Sequence, residues 1–146
     1  MHTILEFMGG DHKACDDLFA AAETAVADKN WDSARSLFER FEAAMAHHLA
    51  MEEEVLFPAF EARTGMSMGP TQVMRMEHVQ MRELFQAMAD AVQNQDKDEF
   101  LGQAETLLVM MQQHNMKEEQ ILYRMADQML AGELEDVLQR MRAAVA

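Results

Sequence analysis

Three side chains able to bind metal recur in this chain at one fixed interval. His12 and His78, His48 and His114, and Glu52 and Glu118 are each 66 residues apart. The same register pairs Leu18 with Leu84, Phe19 with Phe85, Ala25 with Ala91, Met45 with Met111, Glu53 with Glu119 and Leu56 with Leu122. Internal repetition fixes architecture before any local signal does, and this repeating unit has the length of one helical hairpin. Two such hairpins, at about 11–63 and 77–129, predict an all-α, antiparallel up-down four-helix bundle, read here as one domain spanning 1–146.

The apolar positions agree with that architecture. The first stripe runs through Ile4, Leu5, Met8, His12, Cys15, Leu18, Phe19, Ala22 and Val26 at steps of three and four. Its start is open between a Thr3-x-x-Glu6 capping box and a fresh beginning after Gly9-Gly10-Asp11. Asn30 is a plausible N-cap for the second stripe, from Leu37 to Phe60, with Pro58 expected to kink or end it. Residues 64–70 form the loop between the halves, and Pro70 suits a first helical position. The third stripe passes from Met74 to Val92, and the fourth follows Asp98 as far as Met129. Gly132 then separates a short amphipathic helix over Glu133–Val145.

Within these stripes the repeated polar residues face the wrong way for ordinary surface groups. His48 and Glu52 share one helix face, as do His114 and Glu118, and each pair interrupts an apolar row. A bare carboxylate in a core costs of order several kcal/mol unless a cation or hydrogen bonds compensate it. Two facing each other cost more, and metal ions would supply the missing positive charge. The candidate ligands are therefore His12, His48, Glu52, His78, His114 and Glu118. This nitrogen and oxygen set suits iron or manganese and leaves zinc or copper open, while the thiolate signature of structural zinc is missing. Four imidazoles and two bridging carboxylates are enough for two ions, and iron is the favoured load.

The residues that carry a family likeness are His12, the segment His48-Leu-Ala-Met-Glu52-Glu-Glu-Val-Leu-Phe-Pro58, Glu77-His78, and His114-Asn-Met-Lys-Glu118-Glu-Gln-Ile-Leu-Tyr123. Over nearly its whole length the chain resembles the hemerythrin-like, or HHE cation-binding, family. The resemblance implies a four-helix bundle around an oxo- or hydroxo-bridged, non-heme di-iron site. The oxygen carriers of that family place two histidines four apart on the third helix, whereas Met74 and Arg82 flank His78 here. They also place an aspartate five residues after the last histidine, where this chain has Glu119. A duplicated four-His, two-Glu set gives both ions equal ligand counts, which argues against reversible oxygen carriage.

That set is closest to the di-iron proteins that repair iron–sulfur centres, whose N-terminal cysteine domain has no counterpart ahead of His12. The expectation is a lone domain that binds nitric oxide or oxygen in sensing or stress protection. Oxidoreductase turnover with an electron donor and an iron-reservoir role are the alternatives.

A net charge of −14 argues against nucleic acid and anionic membranes as partners. No apolar run approaches a membrane span, and the first residues lack the basic segment of a signal peptide, so a cytoplasmic protein is expected. Cys15 is the only cysteine, read as a small buried hydrophobe. His47 is read as a rim residue and His2 as uninvolved. Glu53, Glu54 and Glu119 either support the ligands or face water, with Glu54 assigned to water. Asp11 and Glu77 either orient an imidazole or cap a helix. The methionines at 66, 68, 74 and 76 are assigned to core and loop packing. At the usual α-helical pitch Tyr123 is rotated roughly 140° from Glu118, which places it away from the metal.

Overall fold

The computed structural model describes residues 2–146, which form five helices and no strand. Helix α1 covers Ile4–Ala27. Helix α2 covers 31–64 in three parts: α-helical Trp31–Ala50, a π turn over Met51–Leu56, and α-helical Phe57–Thr64. Helix α3 is Pro70–Gln93. Helix α4, 97–129, repeats the plan of α2 with Lys97–Lys117, a π turn over Glu118–Leu122, and Tyr123–Met129. A final helix, α5, covers Leu134–Ala143. Helices α1 and α2 pair as one hairpin and α3 and α4 as the other, with α1 against α4 and α2 against α3 closing the antiparallel bundle. None of these helices is long and apolar enough to cross a membrane.

Local chemistry explains most boundaries. The Thr3 hydroxyl accepts from the Glu6 amide at 3.0 Å, and the Glu6 carboxylate accepts from the Thr3 amide at 3.3 Å, so the capping box forms. Asp127 of α4 also accepts from the Ile4 and Leu5 amides, at 2.7 and 3.2 Å. The start at Ile4 is thus tied into the bundle, and α1 runs unbroken through Gly9-Gly10 instead of restarting at Asp11.

The two hairpin turns repeat like the rest of the chain. Lys29 and Gln95 take the left-handed conformation, at φ 55 and 51°, ahead of the N-caps Asn30 and Asp96. Asp96, the 66-residue counterpart of Asn30, starts α4 ahead of the predicted Asp98. Gly65, at φ 73°, ends α2 in the left-handed region where a side chain is strained.

Pro58 does not terminate α2. It falls in the first turn of the α-helix that resumes after the π segment, where a missing N–H costs least. The equivalent π turn in α4 has no proline, so the wider turn belongs to the repeat itself.

Two apolar clusters hold the bundle. One contains Phe19, Phe38, Phe41, Phe85 and Phe100, and the other contains Ile4, Met8, Phe57, Phe60 and Leu122 with Val137, Leu138 and Met141 of α5. Each fully buried phenylalanine contributes roughly 1.5–3 kcal/mol. Every bundle helix passes from one cluster to the other through a buried histidine: Cys15 to Met8 across His12, Met45 to Met51 across His48, Met81 to Met74 across His78, and Met111 to Leu122 across His114. A polar layer is therefore clamped between two packed layers. Helix α5 covers the π turn of α2.

The methionine assignment needs correction. Met74 is core, but Met66, Met68 and Met76 are exposed, because residue 76 lies on the outer side of α3.

Candidate metal centre

All six candidate ligands are buried in the polar layer, Glu52, Glu118 and His78 completely. His12 and His48 of the first hairpin lie with ring centroids 4.7 Å apart, and His78 and His114 of the second 5.1 Å apart. Glu52 Oε1 is 3.1 Å from His78 Nε2 and 3.6 Å from His48 Nε2. Glu118 Oε1 is 3.0 Å from His12 Nε2, and its Oε2 is 3.3 Å from His114 Nε2.

Every imidazole is fixed from behind. His12 Nδ1 lies 2.7 Å from Glu119, His48 Nδ1 2.7 Å from Asp11, His78 Nδ1 2.7 Å from Glu53, and His114 Nδ1 2.7 Å from Glu77. A carboxylate accepting from Nδ1–H sets the tautomer, turns the Nε2 lone pair inward and raises its basicity. These four carboxylates obey the 66-residue repeat too. Asp11 and Glu77 orient the histidine of the neighbouring helix in their own hairpin instead of the adjacent His12 and His78. Glu53 and Glu119 reach across to the other hairpin, and Glu54 is exposed.

The inward atoms are left without partners. His48 Nε2, Glu52 Oε1, His78 Nε2, His114 Nε2 and Glu118 Oε2 are buried with no hydrogen bond. Buried polar atoms in folded proteins are nearly always satisfied, and each failure costs about 1–3 kcal/mol. Five such atoms converging in one layer are what cation binding would resolve.

The six candidate ligands sort into two sets whose donor atoms lie within 4.8 Å of one another, Glu52, His78, His114 and Glu118 in one and His12, His48 and Glu118 in the other. The sets are unequal, against the expectation of equal halves. Each hairpin supplies the two histidines of one set, and Glu118 is common to both.

Burial and the neighbouring charges shift the groups of the layer in opposite directions. Burial pushes Glu52 up from the ordinary carboxylate range, and the charge of Glu118 pushes it further. Burial opposes ionisation of Glu118 as well, but contacts with Glu52, His114 and His12 outweigh it and hold that group well down. Burial alone would lower His114, yet Glu118, Glu52 and Glu77 raise it to about 9, and His12 is raised in the same way. Outside the layer, burial pushes the Cys15 thiol up to about 12, so it is an inert core group. His47 is half-buried at the rim and His2 is exposed.

Tyr123 is the residue that sequence reasoning misses. Its hydroxyl is buried at the centre of the layer, 2.7 Å from Glu52 Oε2, 2.9 Å from Glu118 Oε1 and 3.2 Å from His12 Nε2. The 140° rotation assumes an unbroken α-helix. The Tyr123 amide instead bonds the Glu118 carbonyl, so the π turn brings residues five apart onto one face. The Glu52 and Phe57 backbones do the same in α2. The signal for it is the equal Glu-x-x-x-x-aromatic spacing in both halves.

A four-helix bundle with a buried histidine and carboxylate layer, each histidine held by an outer carboxylate, defines a cation-binding bundle. The family model for the hemerythrin HHE cation-binding domain matches residues 3–126, and the chain belongs to that family. Searches among curated proteins and solved structures give no significant match.

Proposed function

We propose that this chain is a non-heme di-iron protein that binds nitric oxide or oxygen, in sensing or in protection against oxidative and nitrosative stress. The observation that carries it is the set of five buried, unpartnered donor atoms in a layer whose six ligand residues fall into two sets sharing Glu118. His12, His48, Glu52, His78, His114 and Glu118 are the ligands in this reading. All are nitrogen or oxygen donors, and the one thiol is protonated within the apolar cluster, which favours iron over a thiolate-bound metal. Iron held there would supply redox-active Lewis-acid chemistry for a small diatomic ligand.

The chain's own contributions follow from the geometry. Asp11, Glu53, Glu77 and Glu119 hold the imidazoles in one tautomer. The apolar clusters on both sides keep bulk water from the layer, which strengthens every charge interaction inside it.

Elemental analysis after anaerobic iron loading is expected to find about two iron atoms per chain, as two donor sets require. The reduced protein is then exposed separately to nitric oxide and to oxygen while its spectrum is followed. A single stoichiometric change with either gas is the expected result. Continuous gas consumption with an added electron donor would favour turnover over binding. One zinc per chain with no spectral response to either gas would overturn the reading.

A further inference from the structure

Phe57 and Tyr123 occupy the same place in the two halves. Each follows a π turn, and each donates its backbone amide to the backbone carbonyl of a layer glutamate. Their rings also match: Phe57 lies against His78 with centroids 5.6 Å apart at 25°, and Tyr123 against His12 at 5.6 Å and 32°. The two side chains differ by the hydroxyl, and the Phe57 ring carries the Arg75 guanidinium on its face, 5.3 Å from the centroid.

That hydroxyl has one proton and three neighbours that all carry lone pairs. Glu52 Oε2 is the nearest, at 2.7 Å, and takes the hydrogen bond. The two layer carboxylates are thereby put to different uses. Glu118 spreads its oxygens across both sides, Oε1 toward His12 and Oε2 toward His114. Glu52 has Oε2 tied to the phenol, so only Oε1 remains, facing His78 and His48. The result is the four-donor set Glu52, His78, His114 and Glu118 beside the three-donor set His12, His48 and Glu118. The phenol oxygen stands beside the poorer set, 2.9 Å from Glu118 Oε1 and 3.2 Å from His12 Nε2.

We propose, building on the di-iron reading, that Tyr123 is a positioning residue that leaves Glu52 a single inward oxygen, closer to His78 than to His48, reserving a place at the His12, His48 and Glu118 set for a small anionic or diatomic ligand. The duplicated sequence alone would give two equal ions with no such place. One substituted ring position makes the two donor sets unequal, and it leaves a hydrogen-bonding group beside the reserved place.

The side chosen is also the less sealed one. His12 is 5% exposed where His78 is 0%, and the Glu119 side chain behind His12 is 41% exposed where Glu53 behind His78 is 24%.

Tyr123→Phe tests this, because it installs the residue that the first half already accommodates. Both proteins are loaded with iron, analysed for metal, oxidised and titrated with azide while the visible spectrum is recorded. Equal metal content with azide affinity about tenfold or more weaker in the variant is expected, the scale of a lost supporting contact at a metal site. Cobalt(II)-loaded protein gives a readout free of redox chemistry: the wild type should show the stronger visible absorption of a lower-coordinate ion, and the variant the weaker.

Unchanged azide affinity at equal metal content would overturn the proposal. So would a phenolate-to-iron(III) charge-transfer band in the wild type that the variant lacks, since Tyr123 would then itself be a ligand. Loss of iron by the variant alone would also overturn it, because the phenol would be needed to hold the ions. Failure of the wild type to bind iron would instead remove the di-iron reading, and this inference with it.

Discussion

The two hairpins carry the same histidines, layer carboxylates and outer carboxylates, yet they are not equally tied down. In one cross-hairpin contact, His78 is held by Glu53, and Glu53 is itself gripped by Arg82 Nη1 and Nη2 at 2.8 and 2.9 Å. In its counterpart, His12 is held by Glu119, whose side chain is far more exposed and has no matching basic partner among the described residues. The adjoining aromatic is Phe57 in the first case and Tyr123 in the second. Duplication sets what the site contains, and divergence at the positions around it sets which side is rigid and which is adjustable.

The largest expected effect comes from separating the two layer carboxylates. Glu118 belongs to both donor sets and Glu52 to one. Glu118→Gln is expected to lose both ions, while Glu52→Gln keeps about one per chain, because a neutral amide oxygen neither bridges nor balances charge as a carboxylate does. Elemental analysis after identical loading decides it. Equal losses in the two variants would show that both carboxylates bridge, and the comparison would fail.

The outer carboxylates should differ more gently. Removing the group behind a ligating histidine commonly costs about 10–100-fold in metal affinity. Glu53→Gln is expected near the upper end, because it releases a fully buried imidazole and breaks the Arg82 contact. Glu119→Gln should sit near the lower end, because solvent already reaches that side chain and a water can take its place. Competition against a coloured chelator measures both. A larger loss at Glu119 would place the rigid side of the layer at His12.

Much of this is legible in the order of the amino acids. The 66-residue interval places six residues on four helices because both the α-helical pitch and the hairpin length are fixed by backbone geometry, and all six do meet in one layer. Asn30, Gly65 and Pro70 act at boundaries for equally local reasons.

What stays hidden depends on breaks in that regularity or on contacts between helices. A helical wheel at 100° per residue cannot show a π turn, so it puts Tyr123 on the wrong face. The partners of Asp11 and Glu77 lie 37 residues away, on the neighbouring helix of each hairpin, where their own helix gives no hint of them. The continuous start of α1 rests on Asp127, more than 120 residues distant. Equal donor sets look like a consequence of duplication, yet Glu118 stands in both sets and Glu52 in one.

The hairpin turns extend the comparison to its smallest effect. Asn30 and Asp96 cap equivalent helices after equivalent left-handed residues, so alanine at either position removes the same kind of contact. The bond from Ser33 to Asn30 is long, at 3.5 Å, and the one from Glu99 to Asp96 is 3.1 Å. A carboxylate also meets the positive end of its helix favourably where an amide does not. Asp96→Ala is therefore expected to cost about 1 kcal/mol and Asn30→Ala roughly half of that, read from denaturant midpoints at one metal loading. Equal costs would mean that the turns, unlike the polar layer, have stayed interchangeable since the halves became different.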